Sequence, residues 1–162
     1  MCRLEEVSLW TNVTAIACFR YGTVGLCEGG TVVSCGFPKA VADELASWTD
    51  ITSVACGKEH IVGLRRNGTV VACGENGKGQ CGVDSFRNVG MISSSGECTS
   101  LVFNDGTVKA LGKYNDRGLG FPNTLAATCF NFGAIITLDE SGFLHGDMSG
   151  VDTDDFTKDF EW

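Results

Sequence analysis

Hydrophobic residues along this chain form short runs that are separated by turns containing glycine. Three such runs follow one another at Ile51–Cys56, Ile61–Leu64 and Thr69–Cys73. Short runs bounded by turn-forming residues predict β-strands. The dipeptides Asn67-Gly68 and Asp105-Gly106 favour tight hairpins, because both of their residues tolerate positive φ. We therefore predict antiparallel strands joined by short turns.

The same pattern recurs along the sequence with a period of 38 residues. The motif Gly-Thr-Val-Val-x-Cys-Gly at 30–36 returns at 68–74, and a variant of it returns at 106–112. A degenerate fourth copy follows, in which Leu138–Gly142 resembles Leu64–Gly68 with a shift of two residues. Five residues fall in phase at the boundaries of the copies: Trp10, Trp48, Phe86, Thr124 and Trp162.

Four short antiparallel strands in about 40 residues are typical of a propeller blade. We predict an all-β fold, a β-propeller-type repeat array of four four-stranded blades, within a single domain that spans 1–162. The predicted blades are approximately 11–48, 49–86, 87–124 and 125–162, and 1–10 supplies an extra strand. In the first blade, Phe37–Ala46 predicts a short helix with Pro38 in its first turn.

The two ends of the chain match, since Val7–Trp10 and Asp159–Trp162 both resemble the last strand of a blade. A single-chain propeller needs only one such strand to close, so one is left over. Four blades of the usual width would also leave strand edges and an apolar face open. We expect self-association to cover them, with a tight four-bladed ring as the alternative.

The second copy carries a specific family resemblance. Trp48–His60 and Gly68–Gln80 are similar to a repeat of the regulator-of-chromosome-condensation family. The resemblance implies a β-propeller that recognises protein partners, and the family includes regulators of small GTPases and inhibitors of β-lactamases. Its members usually close a ring of seven blades, whereas four copies are present here.

Charge and hydropathy exclude several classes of partner. The net charge is −8, and residues 147–162 hold six acids and one base. No basic cluster larger than Arg65-Arg66 is present, so we expect no nucleic-acid binding. No stretch approaches 18 apolar residues, and Glu5 and Glu6 stand where a signal peptide needs apolar residues, so we expect a cytoplasmic protein with no membrane contact.

The nine cysteines indicate neither a zinc site nor a disulfide framework. Their number is odd, and no two of them stand in a Cys-x-x-Cys pair. We predict nine mostly buried thiols in a reducing compartment, with no metal and no cofactor.

Candidate catalytic groups are sparse. Gly77–Gly82 matches Gly-x-Gly-x-x-Gly, but a predicted strand at Val83–Phe86 follows instead of the helix that a dinucleotide site requires. His60 has no histidine in phase with it and is expected to be a packing and hydrogen-bonding residue. Cys81 and Cys98 are the candidate reactive thiols. We predict that the chain is not an enzyme.

Strand alternation predicts two exposed ends of the blades, and polar loops on a rigid scaffold are typical of protein recognition. The candidate binding residues on the favoured end are Arg20, Tyr21, Lys58, Glu59, His60, Lys78, Tyr114 and Arg117, and those on the other end are Arg65 and Arg66.

Three functions follow from these patterns. The leading hypothesis is a non-catalytic propeller-type module that recognises or inhibits a protein partner. The first alternative is an oligomer that sequesters a small ligand, such as a nucleotide, between subunits in a pocket lined by Lys58, Arg65, Arg66 or Arg117. The second alternative is a cysteine-dependent enzyme.

Overall fold

The structure, a computed structural model, describes residues 7–20, 22–113, 118–119, 123–129 and 135–147. These residues form four antiparallel sheets that follow one another along the chain. The first sheet contains β1 (Val13–Cys18), β2 (Thr23–Cys27) and β3 (Val32–Cys35). The second contains β4 (Ile51–Cys56), β5 (His60–Arg65) and β6 (Val70–Gly74). The third contains β7 (Val89–Ser95), β8 (Cys98–Phe103), β9 (Val108–Gly112) and β10 (Gly118–Leu119). The fourth contains β11 (Thr124–Cys129), β12 (Ile135–Asp139) and β13 (Leu144–Asp147).

The all-β prediction is confirmed, but the prediction of four strands in every sheet is wrong for the first two repeats. Only the third sheet has four strands in the described ranges. The strand predicted at Val83–Phe86 is a chain of turns, in which the Phe86 amide donates to the Val83 carbonyl at 3.1 Å. Val7–Trp10 is also a turn, closed by a 3.0 Å bond from the Trp10 amide to the Val7 carbonyl. Asp159–Trp162 lies outside the described residues.

Each sheet begins at the same backbone corner. The residue before the first strand has positive φ, at Asn12, Asp50, Asn88 and Asn123. Asparagine and aspartate tolerate this conformation better than other residues with a side chain. The carbonyl of each corner residue accepts the amide of the turn after the second strand, as in the 2.8 Å bond from Arg66 to Asp50. A β-bulge follows in all four first strands.

Glycines join each sheet to the next. Gly30 has φ of 81°, and its carbonyl accepts the Ile51 amide of the following sheet at 3.0 Å. A Cβ on Gly30 would lie 2.8 Å from that amide nitrogen, so both the conformation and the close approach require glycine. Gly68 and Gly106 make the equivalent bonds to Val89 and Thr124.

The spacing of the corners corrects one detail of the predicted repeat. The corner residues are 38 apart from 12 to 50 and from 50 to 88, but 35 apart from 88 to 123. Thr124 therefore occupies the position of Val89, the first residue of a strand, and not that of Phe86. The residue in phase with Phe86 is Phe121, which lies outside the described residues. The segment between the third and fourth corners is therefore three residues shorter than the two before it. An assignment with a constant period of 38 cannot detect this difference.

The core lies between successive sheets. Val24, Leu26 and Val32 of the first sheet pack against Trp48 and Ile61 at the second. A second cluster joins the opposite face of the second sheet to the third, and a third cluster joins the third sheet to the fourth. The second and third sheets thus pack one face against the preceding sheet and the other face against the next, as propeller blades do.

The predicted helix of the first repeat is confirmed as α1, Lys39–Ala46. Pro38 is its N-cap residue, where the absent amide hydrogen costs nothing. Leu45 is fully buried and fixes the helix to the first core cluster, while Lys39 and Asp43 form an exposed ion pair of 2.7 Å one turn apart. The helix crosses the end of the junction between the first and second sheets.

Within the described ranges, no helix combines the length and the apolar character that crossing a membrane requires.

Candidate functional site

The antiparallel order of the strands defines two ends of the sheets. We call one end the loop face, which contains the turns between first and second strands and the start of the described loops after third strands: 19–20, 22, 36–44, 57–59, 75–80, 96–97 and 113. We call the other end the turn face, which contains the turns between second and third strands: 28–31, 66–69, 104–107 and 140–143.

The predicted binding residues fall into four groups. Those exposed on the loop face are Arg20, Lys58, Glu59 and Lys78. Arg65 is half-buried and Arg66 is exposed at the turn face. Tyr21, Tyr114 and Arg117 lie outside the described residues. His60 is 0% exposed and does not reach the surface.

A groove of about 780 Å³ opens on the loop face between the first and second sheets. Its lining residues come from the turn after β1, the segment that leads into α1, the helix itself, and both edges of the β5–β6 hairpin. Apolar walls are supplied by Phe19, Phe37, Pro38, Ala40, Val41 and Ile61. The hollows on the turn face that adjoin the third sheet are smaller, at about 570 and 430 Å³.

Glycine at one repeat position lets Phe37, a wall of the groove, pack closely against the first sheet. A Cβ on Gly22 would lie 2.6 Å from the carbonyl oxygen of Cys35 and 2.7 Å from the Phe37 ring. The Phe37 ring also stacks on Phe19, with centroids 5.5 Å apart and planes inclined by 24°. The sequence search for functional residues missed this aromatic pair, although the exchange of a glycine-rich loop for a helix in the first repeat was the signal that could have located it.

Carboxylates are the charged groups that line the groove: Glu44, Glu59 and Glu75. The negative charge of two of them, Glu44 and Glu75, contributes to raising the pKa of nearby thiols. Burial raises the pKa of Cys73 to about 12, with Glu44 as the next cause. Burial likewise raises the pKa of Cys81 to about 11, followed by Glu44 and Glu75. A groove with apolar walls and an acidic rim favours an apolar guest that carries positive charge.

The equivalent junction between the second and third sheets is closed by His60. Its Nε2 atom lies 2.8 Å from the hydroxyl oxygens of both Thr99 and Ser94. Those hydroxyls donate to the carbonyls of Gln80 and Cys98, so Nε2 carries the proton that the histidine donates. Nδ1 is buried without a hydrogen-bond partner in the described structure, and burial lowers the pKa of His60 to about 4. His60 is therefore a neutral group whose hydrogen bonds link the second sheet to the third.

The cysteines provide little support for thiol chemistry. Seven are free thiols, but Cys35 is disulfide-bonded, so the prediction of nine thiols is wrong. Sequence spacing could not reveal that bond, because a disulfide depends on distance in space. Cys98 is 2% exposed, and its pKa is raised by the neighbouring Cys129 thiol and by burial. The thiol of Cys81 donates to the Glu75 carbonyl at 3.3 Å. A thiol with a raised pKa is a poor nucleophile near neutral pH.

Within the chain, Lys58 is not close to Arg65 or Arg66, and Arg117, the other basic residue proposed for a small-ligand pocket, lies outside the described residues. Lys58 lies before the first residue of β5 on the loop face, whereas Arg65 ends that strand on the turn face. Six residues of strand separate the two ends by about 17–20 Å. Among the described residues, no cluster of three metal-ligating side chains is arranged to hold an ion.

Comparison with known proteins supports the fold and one repeat. Residues 51–80 match the model of the regulator of chromosome condensation (RCC1) repeat. The structure resembles Prp20p from Saccharomyces cerevisiae, with a TM-score of 0.65, 14% identity, and coverage of 83% of this chain and 44% of that one. It also resembles human WBSCR16, with a TM-score of 0.68, 21% identity, and coverage of 83% and 46%. A third similar structure is the ectodomain of the receptor kinase ACR4 from Arabidopsis thaliana, with a TM-score of 0.66, 14% identity, and coverage of 88% and 51%.

No curated protein sequence matches the chain. The chain spans about half the length of each of these three structures. Identities this low establish a shared fold and leave partners and activity open. Residues 51–80 of the chain thus match the regulator-of-chromosome-condensation repeat, within an array of sheets that has the fold of the RCC1-type β-propellers.

Proposed function

We propose that this chain is a non-catalytic protein-binding module that contacts its partner through the loop face. The observation that carries the proposal is the groove between the first and second sheets, which combines stacked aromatic walls with a charged rim. Buried apolar anchors surrounded by polar groups are what protein interfaces use for affinity. Binding there would also inhibit a partner whose own active site faces the groove.

The fold supports a binding role. Prp20p, which has a similar fold, has binding properties toward Gsp1p and histones. Its partners are not transferred to this chain, which is 14% identical to it and covers 44% of its length. What the two proteins share is a rigid array of sheets that presents loops at its ends, and such loops are a frequent place for recognition.

Site-specific photocrosslinking tests the proposal. Benzoylphenylalanine at Ala40, which lines the groove, should crosslink one protein in cells that express the chain, whereas the same group at Glu140 on the turn face should not. The captured protein is then purified and its affinity measured. Ala40→Arg should weaken binding by about tenfold or more, as the loss of a hot-spot contact does, and Glu140→Arg should leave it unchanged. A partner that binds both variants equally contradicts the proposal.

We propose self-association as a second property, on a separate observation. Ile16 in β1 is 67% exposed, whereas Ile92, at the same repeat position in β7, is 7% exposed. Leu144 is paired with Leu138 in the fourth sheet and is 71% exposed. The equivalent pair of the second sheet, Leu64 and Val70, is buried against the third.

These two open faces are complementary. Ile16 lies on the face that the second and third sheets turn toward a preceding sheet, and Leu144 lies on the face that the other sheets turn toward a following one. The fourth sheet of one copy therefore suits the first sheet of a second copy, in a head-to-tail contact.

Mutual rescue tests this contact by sedimentation velocity. Ile16→Asp and Leu144→Asp should each abolish self-association, and Thr11→Asp, at another exposed position, should not. Mixing the two defective variants should restore a dimer, because each retains the face that the other lacks. Wild-type protein that sediments as a monomer across the accessible concentrations, or a mixture that stays monomeric, contradicts the proposal.

A further inference from the structure

We infer that the groove takes a protein segment in which an aromatic or aliphatic side chain stands next to lysine or arginine. This inference rests on the proposed function and narrows it to one class of partner sequence. The walls, the rim and the size of the groove each limit which segment can bind.

The walls require an apolar side chain. Phe19 and Phe37 present a stacked pair of rings, and Ile61 and Val41 add further apolar surface. A volume of about 780 Å³ exceeds what one side chain fills, so room remains for the residues on either side of it. An aromatic guest would stack on or meet the edges of the two phenylalanine rings.

The carboxylates at the rim favour a bound segment that carries positive charge. Glu44 lies on α1, Glu59 precedes β5 and Glu75 follows β6, so carboxylates come from three elements around the groove. Among the described residues that line the groove, none is lysine, arginine or histidine. Lysine or arginine flanking the apolar side chain would meet these carboxylates, and their long aliphatic stems would cover part of the phenylalanine surface. An acidic or phosphorylated segment would be repelled.

The position of the carboxylates is held by the fold. The Glu59 carbonyl accepts the Glu75 amide at 2.7 Å, which keeps the two residues side by side at the edge of the second sheet. One Glu75 carboxylate oxygen accepts the Gly77 amide at 2.8 Å. The rim is therefore partly preorganised, which lowers the entropic cost of binding.

A tripeptide titration tests the inference with defined probes. The probe Ac-Lys-Phe-Lys-NH2 should shift NMR signals of the groove residues, while Ac-Glu-Phe-Glu-NH2 and Ac-Lys-Ala-Lys-NH2 should bind at least about fivefold more weakly, because each lacks one of the two required features. Raising the salt concentration to about 0.5 M should also weaken the first probe, since exposed charge pairs are screened.

The chain offers a matched control for charge removal. Glu97 occupies the position of Glu59 at the next junction, and its carbonyl accepts the Lys113 amide at 3.1 Å as that of Glu59 accepts Glu75. The double variant Glu44→Gln with Glu59→Gln should weaken the first probe by about fivefold, whereas Glu97→Gln should leave its affinity unchanged.

The outcomes separate this inference from the proposed function. Absence of binding, equal binding of the acidic probe, or equal weakening by Glu97→Gln overturns the inference. If the partner crosslinked at Ala40 still binds the double glutamate variant with wild-type affinity, the protein-binding function stands and the basic-segment inference fails. If the tripeptide binds as expected but no protein contacts the loop face, the groove has the stated chemistry and the protein-binding function fails.

Discussion

The junction between the first and second sheets and the junction between the second and third use the same backbone corners but end differently at the loop face. At the second junction His60 fills the space between the sheets and binds Thr99 and Ser94. At the first junction the same repeat position is Gly22, the Phe37 ring packs where a side chain would stand, and the groove opens beside Phe37 and α1.

The two junctions share the features that hold the sheets together and differ in the loops at the loop face. At both junctions a corner residue with positive φ and a linking glycine make the same backbone bonds, which indicates that these features serve the array itself. Leu45 in the helix and Val83 in the following repeat are both 0% exposed, so the two different loops each bury one anchor. The junctions differ in the residues near the loop face, which form a groove at the first junction and the hydrogen bonds of His60 at the second.

The largest expected effect comes from removing the side chain that closes the second junction. His60→Ala should lower the free energy of unfolding by about 3 kcal/mol, because it leaves a cavity and removes hydrogen bonds to two buried or half-buried hydroxyls. Urea denaturation measures the change. Lys58→Ala, two residues away and exposed, should change it by less than about 0.5 kcal/mol. An equal loss in both variants would show that His60 does not fasten the sheets.

Acid should weaken the second junction specifically. An unfolded histidine takes up a proton below pH 6.5, but His60 in the folded protein stays neutral until about pH 4. The His60 contribution is therefore complete above pH 6.5 and declines as the pH falls toward 4, by a total of about 3 kcal/mol. Urea denaturation at several pH values should show a shallower decline in His60→Gln than in wild type. Parallel curves would contradict the assignment of a buried neutral His60.

Adding a methyl group at the first junction should be less costly but should close the groove. Gly22→Ala places a Cβ against the Cys35 carbonyl and the Phe37 ring, so we expect a loss of about 2 kcal/mol and displacement of Phe37. Binding of Ac-Lys-Phe-Lys-NH2 should fall with it. Gly146→Ala is the control, because its nearest contacts would be at 4.0 Å. Full binding by Gly22→Ala would mean that the Phe37 wall is not part of the site.

The smallest effect is expected on the outer side of the groove helix. Lys39 and Asp43 form an ion pair with both side chains well exposed, so Asp43→Ala should change the unfolding free energy by about 0.5 kcal/mol or less. Tripeptide binding should be unaltered, because neither residue lines the groove. A large change in either measurement would show that the helix contributes to the groove through its outer face as well.

The repeat could be predicted from sequence because its signals are local. Asn-Gly and Asp-Gly hairpins and the spacing of 38 residues in the first three copies place the strands of those sheets. In the fourth copy the sequence indicated a shift of two residues at Leu138–Gly142, but the boundary residues were still assigned at a constant period, and the corner at Asn123 is displaced by three residues. The strand predicted at Val83–Phe86 failed because a short run with one buried valine also suits a turn that anchors itself in the core.

The candidate site was less predictable than the fold. Exposure of Lys58, Glu59 and Lys78 follows from their place in turns, and the sequence indicates it. The groove depends on a residue without a side chain, Gly22, and on the packing of Phe37 against Phe19 across a sheet, which no linear pattern encodes. The sequence predicted that an apolar face would be open, but only the structure identifies Ile16 and Leu144 as exposed residues.

The central claim is that the first junction is an open binding site and the second is a closed structural one. Methyl NMR spectra recorded during titration with Ac-Lys-Phe-Lys-NH2 test it directly, with Val41 and Ile61 as reporters of the first junction and Ile92 and Leu101 as reporters of the second. We predict shift changes at Val41 and Ile61 that saturate with the peptide, and none at Ile92 or Leu101. Equal changes at both pairs, or changes at the second pair alone, would contradict the account.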